Sequence, residues 1–137
     1  MGRSAEIAKL LLRLAVGGLM LLHGIAKLRH ASAAVSHMEG TLAAHHLPYA
    51  FGYLVFVGEV IGPVLVLLGL FTRVGAIFIA IDMLFALYLV HGAQVFTLNQ
   101  AGGYALELQA LYFTGAIAIA LLGGGAYGVR RGQPRWD

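Results

Sequence analysis

The chain has 137 residues, of which 60% are hydrophobic and 11% are charged, and its formal net charge is +3. Soluble domains carry about 25% charged residues, so this composition excludes an ordinary water-facing surface and favours contact with lipid. Because the chain contains no cysteine, disulfides, thiolate metal sites and dithiol electron relays are excluded. The length suits a single domain over residues 1–137.

Four apolar stretches, at residues 10–28, 51–70, 74–90 and 105–122, each approach the ~20 residues that cross a hydrocarbon core. They are too long for strands, and no segment alternates with a period of two. We therefore predict an all-α fold, an integral membrane four-helix bundle. A signal peptide cleaved near Ala31-Ser32-Ala33 is an alternative for the first stretch, but Arg13 and His23 interrupt its apolar run.

The connections between these stretches differ in character. The short Phe71-Thr72-Arg73 segment predicts a tight turn, so the second and third helices are adjacent and antiparallel. Residues 31–44 place Val35, Met38 and Leu42 at roughly helical spacing and predict a short interfacial helix between the first two spans. Residues 92–104 are polar and contain glycine, which predicts a loop.

Lysine and arginine are distributed unevenly between the two predicted sides of the membrane. The side opposite the termini holds only Lys27 and Arg29. By the positive-inside rule we predict that both termini are cytoplasmic, and we expect a multi-pass protein of a bacterial-type cytoplasmic (inner) membrane. Its basic residues then flank a lipid bilayer, and we predict no nucleic-acid partner. The basic residues on the side of the termini are Arg3, Lys9, Arg13, Arg73, Arg130, Arg131 and Arg135.

Ionisable side chains inside predicted membrane helices are costly in lipid and mark functional sites. Arg13 lies near the cytoplasmic boundary, where we expect it to snorkel towards the interface. The other ionisable groups all fall between the midplane and the outer face, so we predict that they form one binding site. These candidates are His23, Lys27, Glu59, Asp82, His91 and Glu107.

The helix faces that carry the candidates also contain small residues. Gly58 and Gly62 flank Glu59 and would let another helix approach this carboxylate closely. Pro63 cannot donate a hydrogen bond to the Glu59 carbonyl, which then needs another partner. The first helix carries a stripe of Arg13, Gly17, Met20, Gly24 and Lys27, and the fourth carries a small-residue stripe of Ala110, Thr114 and Ala118 after Glu107.

Four motifs, taken in order along the chain, resemble those of the DoxX family. They are Arg13-Leu14 with Leu22-His23-Gly24-Ile25-Ala26-Lys27-Leu28, then Gly58-Glu59-Val60-Ile61-Gly62, then Leu68-Gly69-Leu70-Phe71-Thr72-Arg73, and finally Glu107-Leu108. The resemblance implies a four-helix membrane bundle. It also implies a link to membrane redox chemistry, because the family includes relatives of the small subunit of thiosulfate:quinone oxidoreductase.

A quinone-linked role is the function that we favour. Lys27 or His23 would polarise a quinone carbonyl, while Glu59 and Glu107 would act as catalytic proton carriers. The sequence encodes no redox centre, so electrons would come from a bound cofactor or from a soluble or membrane redox partner subunit.

Several alternatives remain open. Haem held between His23 and His91 is a less favoured cofactor. No fixed metal-ligand spacing is present, so no metal site is predicted, although loop histidines could collect a transition metal. The same pocket could carry a small solute or a proton, or the ionisable groups could be structural pairs, Lys27–Glu107 and His23–Glu59, in an assembly subunit without catalysis. The glycine faces could also support a homo-oligomer. The loop histidines are His30, His37, His45 and His46.

Overall fold

The computed structural model describes residues 2–130, which form five α-helices joined by short turns and one longer loop. No strand occurs within these residues, where a single bridge joins Leu98 and Tyr104 in the last loop. The all-α prediction is confirmed. Arg131 and Arg135, which contributed to the predicted orientation, lie outside the described residues. The helices are α1 Arg3–Arg29, α2 Ala31–Ala44, α3 Tyr49–Leu68, α4 Thr72–Leu89 and α5 Glu107–Leu122.

The helix bounds follow the predicted stretches to within about two residues, except that α1 begins at Arg3, well before the predicted start at residue 10. The short helix α2 begins and ends at the predicted residues. The predicted turn at residues 71–73 is wrong by about two residues, because Thr72 and Arg73 already belong to α4. The chain reverses at Gly69 and Phe71, whose φ angles of 66° and 49° lie in the left-handed region. Glycine adopts this conformation without steric cost and commonly ends helices.

Glycines allow the helices to pack at backbone distance. A Cβ atom added to Gly62 of α3 would lie 2.8 Å from the carbonyl oxygen of Gly75 in α4, and one added to Gly75 would lie 2.7 Å from that of Gly62. This contact confirms that the Gly58–Gly62 face admits another helix. Since these glycines pack helices within one chain, an oligomer would have to use other surfaces.

The core lies where α1, α3, α4 and α5 meet. The predicted stripe of α1 is buried from Arg13 to Gly24. The predicted small-residue stripe of α5 is wrong, because Thr114 is exposed while Tyr112, Ala116 and Ile119 face inwards. A shift of two residues turns a helix face by about 200°. The buried core comprises Val16, Met20, Val66, Ala76, Ile79, Ala80, Met83, Tyr112, Ala116 and Ile119.

Arg13 is buried inside the bundle, so the prediction that it snorkels to the interface is wrong. Its guanidinium donates from Nε to the Val66 carbonyl (2.8 Å), from Nη2 to that of Leu67 (2.9 Å) and from Nη1 to that of Gly124 (2.7 Å). The last carbonyls of a helix have no intrahelical donor and carry partial negative charge. Arg13 therefore caps the end of α3 and ties it to the segment that follows α5.

Other basic residues gather at the same end of the bundle. Arg73 Nη1 donates to the Ala120 carbonyl near the end of α5 (2.7 Å). The Arg130 guanidinium lies 4.1 Å from the centre of the Phe71 ring, a distance that permits a cation–π interaction. The start of α1, the α3–α4 turn and the segment after α5 thus share one basic end, as the sequence predicted.

The distribution of polarity is inverted relative to a soluble protein. Among the described residues, α3 and α4 are each long and apolar enough to cross a membrane, while α5 is apolar but only 16 residues long. Charged Arg13, Glu59 and Asp82 are buried, whereas many large apolar side chains face outwards. Large exposed apolar surfaces indicate a contact with lipid or protein.

Candidate functional site

Glu59 lies in an irregular turn of α3. The chain forms a π-helical turn over Val57–Ile61, in which the Gly62 N–H bonds the Val57 carbonyl, and the α-helix resumes at Gly62 with Pro63 in its first turn. Proline lacks the N–H that would bond the Glu59 carbonyl, which explains why the regular pattern breaks at this point. Such π turns are frequent at functional sites.

The freed Glu59 carbonyl is covered by α1. A Cβ atom added to Gly24 would overlap the carbonyl group of Glu59 and would lie 2.8 Å from Cγ2 of Val60. Only glycine therefore allows α1 to approach this turn so closely. One helical turn further along α1, Lys27 Nζ donates to Glu59 Oε1 over 2.5 Å. The predicted structural pair Lys27–Glu107 is wrong, since Lys27 pairs with Glu59.

Asp82 of α4 lies at the same level of the bundle as Glu59 and lines the same cavity. A Cβ atom on Gly58 would overlap Cβ of Asp82 and lie 2.6 Å from its Cγ, so the missing side chain at Gly58 makes room for this aspartate. Two carboxyl oxygens here, Glu59 Oε2 and Asp82 Oδ2, are buried and have no hydrogen-bond partner within residues 2–130. The close helix packing thus brings one ammonium and two carboxyl groups together.

These groups line a cavity of about 580 Å³, which is within the usual range for small-molecule sites. Its walls are largely apolar. Phe51 at the start of α3 and Phe85 of α4 form a tilted ring pair with centroids 6.2 Å apart. The short helix α2 closes one side through His37 and Met38.

Five of the six predicted site residues line this single cavity, namely His23, Lys27, Glu59, Asp82 and His91. Glu107 does not. Its Oε1 lies 3.5 Å from Asn99 Nδ2 at the tip of the α4–α5 loop, and its Oε2 lies beside Gly103. Glu107 is also exposed. The structure therefore separates the two carboxylates that the sequence analysis assigned to proton transfer.

Three residues of α5 that the sequence analysis did not assign to the site also line the cavity, namely Leu108, Gln109 and Tyr112. The Tyr112 ring packs edge-on against His23, with centroids 6.0 Å apart. Gln109 Nε2 donates to His91 Nε2 (3.4 Å), and His91 Nδ1 donates to Gln94 Oε1 (3.1 Å). A polar glutamine inside an otherwise apolar helix was a signal for this role, but Tyr112 is not distinguishable from an ordinary core aromatic.

The histidines do not support the haem and metal alternatives. Both ring nitrogens of His91 have hydrogen-bond partners, so axial ligation opposite His23 would require breaking one of these bonds. Within residues 2–130, no three His, Asp or Glu side chains come together in an arrangement suited to a metal ion. His45 instead packs against the Tyr88 ring, with centroids 5.5 Å apart.

Fold and site together define a helical, membrane-associated protein with a largely apolar cavity between its helices, lined by a few ionisable groups. The model of the DoxX family matches residues 8–92, a range that includes the five cavity-lining candidates. The chain belongs to the DoxX family, as its motifs indicated.

Two curated relatives are similar over most of the chain. A Bacillus subtilis (strain 168) protein named "Putative oxidoreductase CatD" is 32% identical over 126 residues, which cover 88% of this chain and 89% of that protein. An uncharacterized protein of Haemophilus influenzae is 31% identical over 118 residues, covering 80% of this chain and 84% of that protein. No solved structure matches the chain significantly. Membership of this family places the chain among membrane-associated proteins.

Proposed function

We propose that the protein is a membrane subunit of a redox system and binds a quinone-like lipophilic molecule in the cavity. The observation that carries this proposal is the cavity itself, where apolar and aromatic walls surround the Lys27–Glu59 pair and the buried Asp82 carboxyl group. Amphipathic ring compounds need this combination of an apolar enclosure and a few convergent polar groups.

The proposal includes a membrane topology of four spans, α1, α3, α4 and α5, with both termini in the cytoplasm of a bacterial-type cell. Leucines on α1 and α5 point away from the bundle, for example Leu11, Leu22, Leu111 and Leu121. Such side chains are suited to lipid contact. The basic end of the bundle faces the cytoplasm, as the positive-inside rule requires.

The residues of the cavity fit a quinone headgroup. Lys27 Nζ uses one N–H for Glu59 and keeps others for a carbonyl oxygen. The rings of Phe51, Phe85 and Tyr112 offer apolar surface to a planar ring. Glu59 and Asp82 each keep one carboxyl oxygen able to hold a proton or a hydrogen bond. A bound quinone would supply the two-electron chemistry that the side chains lack.

The proposed role includes a redox partner. The chain contains no cysteine, so a thiol relay within it is not available, and the electrons would come from a partner subunit or a further bound cofactor. The oxidoreductase name of the Bacillus subtilis relative supports this assignment.

The proposal is tested by purifying the protein in mild detergent or native lipid and identifying co-purifying small molecules by mass spectrometry. A quinone should be present in the wild type and depleted in Glu59→Gln. The control is Glu39→Gln, which changes an exposed carboxylate of α2 and should retain the ligand.

If wild-type protein contains no quinone and added quinone analogues leave its thermal stability unchanged, the proposal is wrong. Transport of a small solute or proton, or a structural role in an assembly, would then take its place. Uptake measurements with Glu59→Gln distinguish these two alternatives, because only transport through the cavity requires this carboxylate.

A further inference from the structure

The unpartnered polar atoms of the cavity are both hydrogen-bond acceptors. Glu59 is 6% exposed and Asp82 is 8% exposed. Their Oε2 and Oδ2 atoms are buried without a hydrogen-bond partner within residues 2–130, and both residues line the cavity from neighbouring helices. A buried acceptor that loses water without gaining a donor destabilises the structure, so native proteins seldom leave one unpaired.

Two of the hydrogen-bonding side chains that line the cavity, Lys27 and His91, already have partners. Lys27 already donates to Glu59 Oε1, and with a side chain that is 35% exposed it is the less buried partner of this pair. His91 is engaged by Gln94 and Gln109. The two buried carboxyl oxygens that have no partner within residues 2–130 are acceptors, whereas a quinone headgroup brings two carbonyl oxygens, which are further acceptors and cannot bond to them.

We infer that the cavity binds the reduced, dihydroxy form of its aromatic ligand more tightly than the oxidised form, with its hydroxyl groups donating to Glu59 Oε2 and Asp82 Oδ2. This inference rests on the proposed function and specifies the redox state that the same site prefers. Hydrogen bonds to charged acceptors are stronger than those between neutral groups. A quinone carbonyl can accept from Lys27, as proposed above, but it cannot donate to either of these two carboxyl oxygens.

The preference has a consequence for redox chemistry. By linkage, a ligand whose reduced form binds about tenfold more tightly has its two-electron reduction potential raised by about 30 mV in the site. The bound quinone is then easier to reduce than the free one, and the quinol formed is retained.

The test measures dissociation constants of wild-type protein in detergent, without oxygen, for three probes: a decyl-tailed benzoquinone, its quinol, and the dimethyl ether of that quinol. The quinol should bind about tenfold more tightly than the quinone, a difference of about 1.4 kcal/mol. The dimethyl ether keeps the ring and tail but has no hydroxyl donors, so it should bind no more tightly than the quinone. Asp82→Asn should reduce the preference to roughly threefold, because one charged acceptor becomes neutral, while Glu39→Gln should leave it unchanged.

The outcomes separate the inference from the proposed function. Equal or tighter binding of the quinone by wild-type protein would overturn the inference and leave the quinone site in place. Tight binding of the dimethyl ether would also overturn it, because hydroxyl donors would then be unnecessary. Failure of all three probes to bind would contradict the inference and the proposed function together. The wild-type comparison of the three probes decides the matter even if the Asp82 variant does not fold.

Discussion

The Lys27–Glu59 pair should respond unequally to the loss of either partner. The lysine side chain is 35% exposed and that of the glutamate 8%. Lys27→Met leaves the buried carboxylate without its cation, and removing one partner from a buried pair destabilises by about 3–5 kcal/mol. Glu59→Gln leaves a lysine that can turn towards the surface and an amide oxygen that still accepts a hydrogen bond, so we expect a cost of about 1 kcal/mol.

The double variant should separate the two contributions. Because Lys27→Met is costly chiefly through the carboxylate that it strands, adding Glu59→Gln should recover part of the loss, with a coupling energy of about 1–3 kcal/mol. The free energy of unfolding in detergent micelles is the quantity to measure, and Arg29→Met serves as a control for loss of an exposed cation near the end of the same helix. The reasoning would be refuted if Glu59→Gln were as destabilising as Lys27→Met, or if the two changes were simply additive.

Three further predictions concern packing and pH. Gly24→Ala should destabilise the protein by about 1–3 kcal/mol, because the added Cβ overlaps the backbone of α3. Gly18→Ala on the same helix places its Cβ in open space and should be neutral or stabilising by up to about 1 kcal/mol. Similar unfolding free energies for the two variants would contradict this prediction. Arg13→Lys keeps the charge but not the fork of three hydrogen bonds, so it should lower stability by about 2–4 kcal/mol, and an unchanged melting temperature would refute the capping role. Glu6 lies in the first turn of α1, ahead of the apolar run of residues 10–28. There the Lys9 ammonium and the Ala126 N–H hold the pKa of Glu6 below its ordinary value of 4.5. The associated stability is therefore present above pH 4.5 and is lost as pH falls through the lowered pKa; Glu6→Gln should flatten this acid limb of the unfolding curve, and parallel curves would argue against it.

The sequence allowed the helices and the depth of the site to be predicted because both depend on position along the chain. Long apolar runs indicate helices. In a bundle of membrane-spanning helices, residues that lie equally far from the same side of the membrane come to one level. His23, Lys27 and Glu59 were grouped on this basis, and they line one cavity. The position of Arg13 was predicted wrongly because the burial of an arginine depends on which backbone carbonyls lie near it in the fold. Here those carbonyls belong to residues 66, 67 and 124.

Rotation about each helix axis was harder to predict than depth. Glu107 is at the predicted end of the bundle, but α5 turns Tyr112 and Ala116 inwards and leaves Glu107 at the loop. The predicted stripe of small residues on α5 would have suited close packing. In the structure the buried face is instead the one that carries Tyr112, whose ring packs beside His23. The order of helices around the bundle, which pairs Lys27 with Glu59 rather than Glu107, is likewise a property of tertiary packing.

The polar site and the closest helix contacts of this bundle are one structural feature. Gly24 brings α1 against the π turn that Pro63 imposes on α3, and Gly58 accepts the Asp82 side chain from α4. Because each glycine lacks a side chain, the neighbouring helix can approach more closely. This close approach brings Lys27 within reach of Glu59 and places a second carboxyl group beside them. Charges in a membrane bundle are tolerated only where they find partners, so the geometry that seals the helices together also permits the charges. Loosening either glycine contact should therefore lower ligand affinity and stability together, even though neither glycine contributes a side chain to the site.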